Sequence, residues 1–361
     1  MIKLVVSATN LVEGGGLQVL RDCVDAAARL SDRVSTTVIV HDRQLLGQRD
    51  DVTIIELPDV KRSWWRRIDA EYRKFKALSK RIKPDIWLSL HDMTPNVVAG
   101  RQYVYCHNPA PFYRPSPRQM WHEPPFAAFN LLYSLLYRIN IRRNDSVIVQ
   151  QDWLRDEFIR RYRPNNVITA APHTDNPGDN HTVTTRPAQV FLYPALPRTF
   201  KNIEVLCRAA KRLAADPDWQ GEVRLTIDGT ENRYSRWIAT LAADVPSIRL
   251  IGRQDKAQMQ RQYGEADVIV FPSTLETWGL PITEAKAHGK PLLLADRPYA
   301  HETLAWYDGA CFLDPDDTDA WVRAMRDAAA GRYRFDAIDP ASIKRPNIAN
   351  WDMLMASLID H

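Results

Sequence analysis

Ser273-Thr274-Leu275-Glu276-Thr277-Trp278-Gly279-Leu280-Pro281-Ile282-Thr283-Glu284 decides how this chain is read. It follows the apolar run Asp267-Val268-Ile269-Val270-Phe271-Pro272, which reads as a buried strand. It leads into Pro281–Gly289, which reads as a short helix with Pro281 at its first position and Gly289 just past its end. The order is therefore strand, carboxylate-bearing loop, helix N-terminus. Such a terminus offers free backbone N–H groups and about half a positive charge. Gly279 lets an anion approach the backbone closely. The segment points to a phosphorylated, hydroxyl-rich ligand.

The two glutamates are read by geometry. On one helix, eight residues would separate them by about 12 Å. Glu276 instead precedes the helix, and Glu284 is placed in its first turn, so each can face a different part of an extended ligand. They do not suit a retaining glycosidase, whose carboxylates face each other about 5 Å apart. Taken singly, each glutamate also fits a plain role: Glu284 favouring the helix dipole, Glu276 a solvated loop charge.

Outward from this segment, short apolar runs alternate with amphipathic ones, which implies parallel sheets built from βαβ units. Strands are expected at residues 2–8, 36–41, 52–57, 85–90, 102–106, 146–150 and 167–171. A helix is expected over 17–30 and a basic amphipathic helix over 66–81. The stretch 172–189, with Asp175-Asn176-Pro177-Gly178-Asp179-Asn180, has linker composition. A second series of strands follows near 190–195, 223–228, 248–252, 268–272, 291–295 and 310–313. The expected organisation is an α/β domain over 1–172, a linker over 173–189, a second α/β domain over 190–335 and a tail over 336–361. Two such halves predict a cleft, a favoured place for ligands.

The 361 residues suit two domains, and 45% apolar with 25% charged residues is the composition of a folded, water-soluble protein. A net charge of +4 does not call for nucleic acid. The scattered cysteines 23, 106, 207 and 311 form no C-x-x-C pair, which indicates a reducing compartment and hence the cytoplasm. Met1–Ser7 enters a strand without a signal-peptide layout, and no apolar stretch approaches the 18 residues of a membrane span.

Several polar groups sit at the carboxyl ends of expected strands, the ligand-facing end of an α/β sheet. Arg198 and Lys201, three residues apart, are either an anion-binding pair or ordinary surface charge. His107 ends the strand Tyr103–Cys106 and is either a ligand contact or a hydrogen-bonded structural histidine. Gly14-Gly15-Gly16 opens the first helix without forming G-x-G-x-x-G; it is a turn, or it brings backbone N–H groups to a phosphate or sugar. Asp314-Pro315-Asp316 reads as a turn and helix cap rather than a metal site. His41, His91, His173 and His301 have weaker cases. Trp64-Trp65 in a basic run, and the aromatic stretch 121–141, suit either a membrane interface or helices packed on the first domain.

Glu276-x7-Glu284 with Gly279-Leu280-Pro281, then Ala285, Gly289 and Pro291, resembles the E-x7-E signature of the GT4 family of retaining GT-B glycosyltransferases. Trp278 replaces the usual Phe. Further landmarks are Tyr193–Asn202, Ile227-Asp228-Gly229, Leu250–Arg253 and Phe271-Pro272-Ser273, so the likeness covers most of the C-terminal half and is looser before it. It implies two Rossmann-like doubly wound domains facing a deep cleft, with the last helix, around 348–358, returning to the first domain. It implies transfer of a hexose-type sugar from a nucleoside-diphosphate donor to a hydroxyl of a glycan or lipid-linked oligosaccharide, as in bacterial surface polysaccharide synthesis. No cofactor and no metal are implied. Glu276 would hold hydroxyls of the donor sugar, Glu284 the ribose, and Arg198 and Lys201 the diphosphate with the backbone near Gly279 and Leu280. Gly252 and Arg253 lie where the family binds the base, Trp278 is assigned to donor binding, and Gly15 and Gly16 are assigned to donor or acceptor. His107 would position the transferred sugar. Rival readings are a GT-B sugar-nucleotide epimerase, a non-catalytic sugar-nucleotide-binding protein and a nucleic-acid-binding protein. Peripheral contact with the cytoplasmic membrane face, through the basic and aromatic segments, accompanies the main reading.

Overall fold

Strands buried on both faces need no polar alternation, and the runs of Val, Ile and Leu in this sequence meet that condition. In the computed structural model each of the expected strands lies in a parallel sheet. The structure describes residues 1–12, 14–171, 182–338, 343 and 347–360. Residues 173–181 of the expected linker, with His173, and 339–342, 344–346 and 361 of the expected tail lie outside the described residues.

The chain divides into two units: residues 1–112, 131–174 and 345–361 in one, and 113–130 with 175–344 in the other. The first holds a 7-stranded sheet of order β3-β2-β1-β4-β5-β6-β7. Its strands are β1 Ile2–Ser7, β2 Val34–Val40, β3 Thr53–Glu56, β4 Ile86–Ser89, β5 Arg101–Cys106, β6 Ser146–Val149 and β7 Val167–Thr169. Its helices are α1 Gly14–Ala28, α2 Trp64–Asp69 and α3 Phe75–Ile82, joined by a π-helical turn over Ala70–Lys74, then α6 Asp152–Tyr162 and α13 Trp351–Asp360. The helices α4 Pro117–His122 and α5 Pro124–Arg138 stand between β5 and β6, and the boundary between the units falls inside α5.

Alternate residues of β1 feed two cores. Leu4 and Val6 pack with Leu20, Cys23 and Val24 of α1 and with Leu354, Met355 and Leu358 of α13. Val5 packs with Ile39, Trp87, Ala70 and Phe75 on the other face. The tail helix thus returns to the first unit and covers α1 there. The isolated bridge Ala170–Ile348 and the Thr169 N–H, which donates to Asn347 Oδ1 (3.1 Å), lead it in.

The second unit holds a 6-stranded sheet of order β10-β9-β8-β11-β12-β13. Its strands are β8 Val190–Tyr193, β9 Glu222–Leu225, β10 Ile248–Leu250, β11 Val268–Phe271, β12 Leu292–Ala295 and β13 Ala310–Leu313. Its helices are α7 Ile203–Leu213, α8 Arg233–Ala242, α9 Lys256–Glu265, α10 Leu280–Ala287, α11 Pro298–Leu304 and α12 Thr318–Ala329. The chain reverses its strand order between β1 and β4 in one sheet and between β8 and β11 in the other. Open α/β sheets receive ligands outside the carboxyl ends of the strands at such reversals. The Glu276 loop leaves β11, and the Arg198–Lys201 turn leaves β8.

Residues 113–130 group with the second unit, where the sequence reading had kept everything to 172 together. Their aromatic and charged side chains find partners there. His122 stacks on Trp237 of α8 (centroids 4.3 Å apart), the Arg233 guanidinium lies 4.4 Å from the Trp121 ring, and Phe126 meets Phe200 at 5.3 Å. Helix α4 is started by a capping box between Ser116 and Gln119.

Candidate active site

The turn after β8 is built to hold Lys201 in one place. Tyr193, at the end of β8, donates its hydroxyl to the Lys201 carbonyl (2.7 Å). Asn202 takes a left-handed conformation (φ 52°), which asparagine tolerates better than most residues, and its side-chain amide donates to the Pro315 carbonyl at 2.8 Å. The Lys201 ammonium then reaches across to Glu276 Oε1 at 2.5 Å. The fully buried Ser273 donates its hydroxyl to the same oxygen at 2.6 Å. Tyr299 fixes the loop from below by donating to the Ser273 carbonyl (2.7 Å). One oxygen of Glu276 is therefore pinned by two donors. Its other oxygen has no partner among the described residues, so it can accept hydroxyl groups of a ligand.

Arg198 is not drawn into this pair. Its Nε approaches Glu123 Oε1 at 2.5 Å, and Glu123 Oε2 accepts from the backbone and hydroxyl of Thr199 at 3.1 and 3.0 Å. Glu123, carried in by the 113–130 segment, was not singled out from the sequence. Nothing local marks it, because its partner lies 75 positions away in the chain.

Gly279 caps the start of α10 with φ 86°, a conformation few side chains adopt. A Cβ there would also meet Ile282 at 3.2 Å. Leu280, half-exposed, opens the helix, and Pro281 is its second residue rather than its first. Trp278 lies just before, its indole N–H donating to Thr283 Oγ1 at 3.0 Å. With the helix beginning one residue early, Glu284 falls beyond the first turn, which contains no acid. The expected dipole role is thereby removed. Glu284 instead accepts from the Tyr263 hydroxyl of α9 at 2.6 Å. Burial, then the Glu284 charge, pushes that phenol far above its ordinary value and keeps it a donor.

Gly252 (φ 68°) and Arg253 leave β10, and Gln254 braces the turn by donating to the Ile251 and Gly252 carbonyls at 2.7 and 3.1 Å. Arg253 is exposed. Asp314 accepts from the Asp316 N–H (2.9 Å), while Asp317 caps α12. Among the described residues no group of three His, Cys, Asp or Glu side chains is arranged to hold a metal ion.

In the first unit, Gly15 and Gly16 open α1 after β1. His107 follows β5 and is held through its backbone, because the His107 and Asn108 N–H groups both donate to Asp92 Oδ1, at 2.8 and 3.0 Å. Tyr137 donates to the same oxygen at 3.1 Å, and the His107 ring lies 3.8 Å from the other. Asp92 is buried after β4 with φ 69°. Beside it His91 meets Glu71, and Arg67, also buried, donates to the His91 carbonyl and to Tyr133 at 3.2 and 3.1 Å. Asp92 and Glu71 escaped the sequence reading, since a lone carboxylate carries no spacing signal, and Arg67, which the basic run 61–67 suggested was part of a solvated face, is instead buried.

The model of the family described as glycosyl transferases group 1 matches residues 188–330. Those residues form a group 1 glycosyl transferase domain. They contain Arg198, Lys201, Gly252, Arg253, Glu276 and Glu284. The chain is 20% identical over 228 residues to the O-antigen chain mannosyltransferase RfbU of Salmonella typhimurium, covering 62% of this chain and 60% of that protein. Across the curated relatives it matches, the chain spans between 40% and 60% of their length. The sucrose-phosphate synthase of Thermosynechococcus elongatus superposes with a TM-score of 0.67 at 16% identity, over 100% of this chain and 98% of that one. HepE of Anabaena, solved with UDP, superposes at 0.63 with 16% identity over all of both chains. These likenesses show the GT-B fold beyond the group 1 domain.

Proposed function

We propose that the chain is a glycosyltransferase that moves a hexose-type sugar from a nucleoside diphosphate to a hydroxyl of a glycan or lipid-linked oligosaccharide in surface polysaccharide synthesis. The observation that carries this is the Lys201–Glu276–Ser273 cluster at the strand-order reversal of a group 1 domain, beside the N-terminus of α10. When the bond to the sugar breaks, negative charge builds on the leaving diphosphate. Lys201, Arg198 and the backbone N–H groups near Gly279 and Leu280 are suited to stabilise it, because preorganised donors act most strongly on charge that appears in the transition state. The free oxygen of Glu276 holds sugar hydroxyls, Glu284 the ribose, and the turn at Gly252 and Arg253 the base. Gly15, Gly16 and His107 serve the first unit's share of binding, with His107 aligning the transferred sugar.

Retention of configuration belongs to this reading. No residue of the cluster is placed as a double-displacement nucleophile, since Glu276 is already engaged by Lys201 and Ser273. The diphosphate oxygen then accepts the acceptor's proton as the new bond forms on the face the leaving group quits. Cationic side chains take the part a metal would play, so turnover without added metal is expected.

The test is a melt of the protein with UDP, GDP, ADP, CMP or dTDP, with magnesium or with chelator, followed by transfer from the matching donor sugar. A ligand at 100 times its Kd raises stability by about 2.7 kcal/mol. One nucleotide raising the melt in chelator, with transfer of label to acceptor, is expected. Binding without transfer to any hydroxyl acceptor favours the binding-protein reading, and conversion of donor without acceptor favours an epimerase.

A second reading concerns location. No helix among the described residues is long and apolar enough to cross a membrane. Helix α5 nevertheless exposes Leu131, Leu132 and Leu135, and the neighbouring Trp64, 6.2 Å from the Tyr133 ring, precedes the 81% exposed Trp65. Arg62, Arg66 and Arg138 flank this apolar stripe. Apolar and cationic groups on one surface suit peripheral attachment to an anionic cytoplasmic membrane face. Flotation with vesicles carrying anionic lipid is expected, and absence of binding with and without such lipid removes this reading.

A further inference from the structure

A pocket of the second unit adjoins the Lys201–Glu276 cluster, sharing the neighbouring Asn202 and Thr274 with it but lined by neither Lys201 nor Glu276. It encloses about 450 Å³ between the start of α4, the start of α7, the turn before α11 and the turn after β13. Four guanidinium groups come to it from separate elements: Arg114 and Arg118, Arg208 of α7, and Arg297 after β12. Two carboxylates, Glu204 and Asp316, share the lining. Glu204 is already engaged by the Tyr234 hydroxyl.

What distinguishes these four arginines is that, among the described residues, they line one space without a carboxylate partner. Arg198, Arg212 and Arg224 of the same unit each meet a carboxylate, respectively Glu123, Asp319, and both Glu222 and Glu265. Among the described residues, no carboxylate lies within ion-pair distance of any of the four in the pocket. The Arg118 guanidinium lies 4.4 Å from the centre of the Trp237 ring, and Arg297 donates to the neighbouring Asp296 carbonyl at 3.0 Å. Arginine forks on a common space match the tetrahedral oxygens of phosphate better than a single carboxylate. The volume is within the range of small-molecule sites and exceeds what one inorganic ion fills.

We propose that this pocket is a second anion site, which takes the phosphate monoester or diphosphate of a phosphorylated ligand independently of the diphosphate bound at Lys201. It stands on the arginine geometry alone and does not require the transferase reading. The phosphate can belong to a soluble sugar phosphate or to a membrane-borne headgroup.

The experiment titrates the full chain with inorganic pyrophosphate by calorimetry at low salt. Wild type, Lys201→Ala and the double variant Arg118→Gln/Arg208→Gln are compared, each checked for a cooperative melt. Binding to the wild type that weakens with salt is expected. The double variant should lose at least about 10-fold in affinity, as when charge-assisted bonds are removed, while Lys201→Ala keeps this binding event. If removing Arg118 from Trp237 prevents folding, the other pair, Arg114→Gln/Arg297→Gln, decides with the same expectation. No binding to wild type at millimolar pyrophosphate, or binding lost in Lys201→Ala and kept in the arginine variants, overturns the proposal. Competition then names the source. Displacement by glucose 1-phosphate indicates a soluble ligand, and displacement by phosphatidylcholine vesicles containing phosphatidic acid indicates a headgroup. Failure of both shows a site for the bare ion only and also overturns it.

Discussion

The loop after β11 and the loop after β4 occupy the same topological position in their two sheets, yet their carboxylates do opposite work. Glu276 has one oxygen pinned by Lys201 and Ser273 and the other turned free. Asp92 spends one oxygen on two backbone N–H groups and a tyrosine hydroxyl, and so shapes the turn that carries His107. The first carboxylate presents itself to a ligand, whereas the second presents another residue. Function and stability should therefore separate between them.

The largest effect tests the first half of that contrast. Glu276→Ala and Lys201→Ala should each lower kcat by about 100- to 1,000-fold, the loss seen when one preorganised charge-stabilising group is removed. Stability should fall as well, since the side chains are only 15% and 12% exposed and each variant leaves a largely buried charge unpaired, so kcat is compared on protein that still melts cooperatively. Near-native turnover in both variants would take the chemistry away from this loop. Glu284→Ala should act mainly on donor KM.

The second half predicts the reverse balance. In Asp92→Ala the His107 and Asn108 N–H groups lose a buried acceptor, which costs about 2–4 kcal/mol in urea unfolding, while the Tyr137 hydroxyl keeps the Asn108 carbonyl at 2.9 Å. Asp92→Asn keeps an acceptor and suits φ 69°, so it should cost about 1 kcal/mol. An Asp92→Ala protein of native stability but without turnover would erase the distinction.

The same contrast explains what could be read in advance. Each strand was legible, because buried parallel strands are runs such as Val268–Phe271 and Leu292–Ala295 that stand out without any partner. The Glu276 loop was legible because its residues are contiguous and sit between a strand and a helix. Asp92 and Glu123 were not. Their roles are set by backbone and side chains brought near only by the fold, and a lone carboxylate looks alike in either role. The unit to which residues 113–130 belong was hidden for a related reason: Trp121, His122 and Phe126 read as one apolar segment with α5, while their partners Arg233, Trp237 and Phe200 lie 74 to 115 positions onward. Register and periodicity report a segment's own preference, not which of two cores will receive it.

That segment supplies a third kind of carboxylate, between the other two. Glu123 holds both the Arg198 side chain and the Thr199 backbone, so it competes with any anion that Arg198 would bind. Arg198 is 42% exposed, and such ion pairs contribute about 0–1 kcal/mol. Glu123→Gln should therefore tighten nucleoside-diphosphate binding by at most about 5-fold in calorimetry, the equivalent of that energy. Weaker binding would show that Glu123 holds the turn more than it masks the cation.

The smallest effect concerns how the segment is clamped. His122 stacks on Trp237, and its imidazole is held below the ordinary value, first by burial and then by the Arg118 and Arg233 guanidiniums. The folded protein thus disfavours the proton relative to the unfolded chain, whose histidines titrate near about 6.5. The stabilisation is present above that value and is lost as pH falls through it towards the lower folded value. A protonated ring would also stand as a third cation beside the two arginines that flank it. Melting of the wild type should consequently fall between pH 8 and pH 5 by more than that of His122→Phe, which keeps the ring stack and cannot be protonated. Equal pH dependence in the two proteins would mean that the clamp on α8 rests on aromatic contact alone and that the charge at position 122 is immaterial to where residues 113–130 lie.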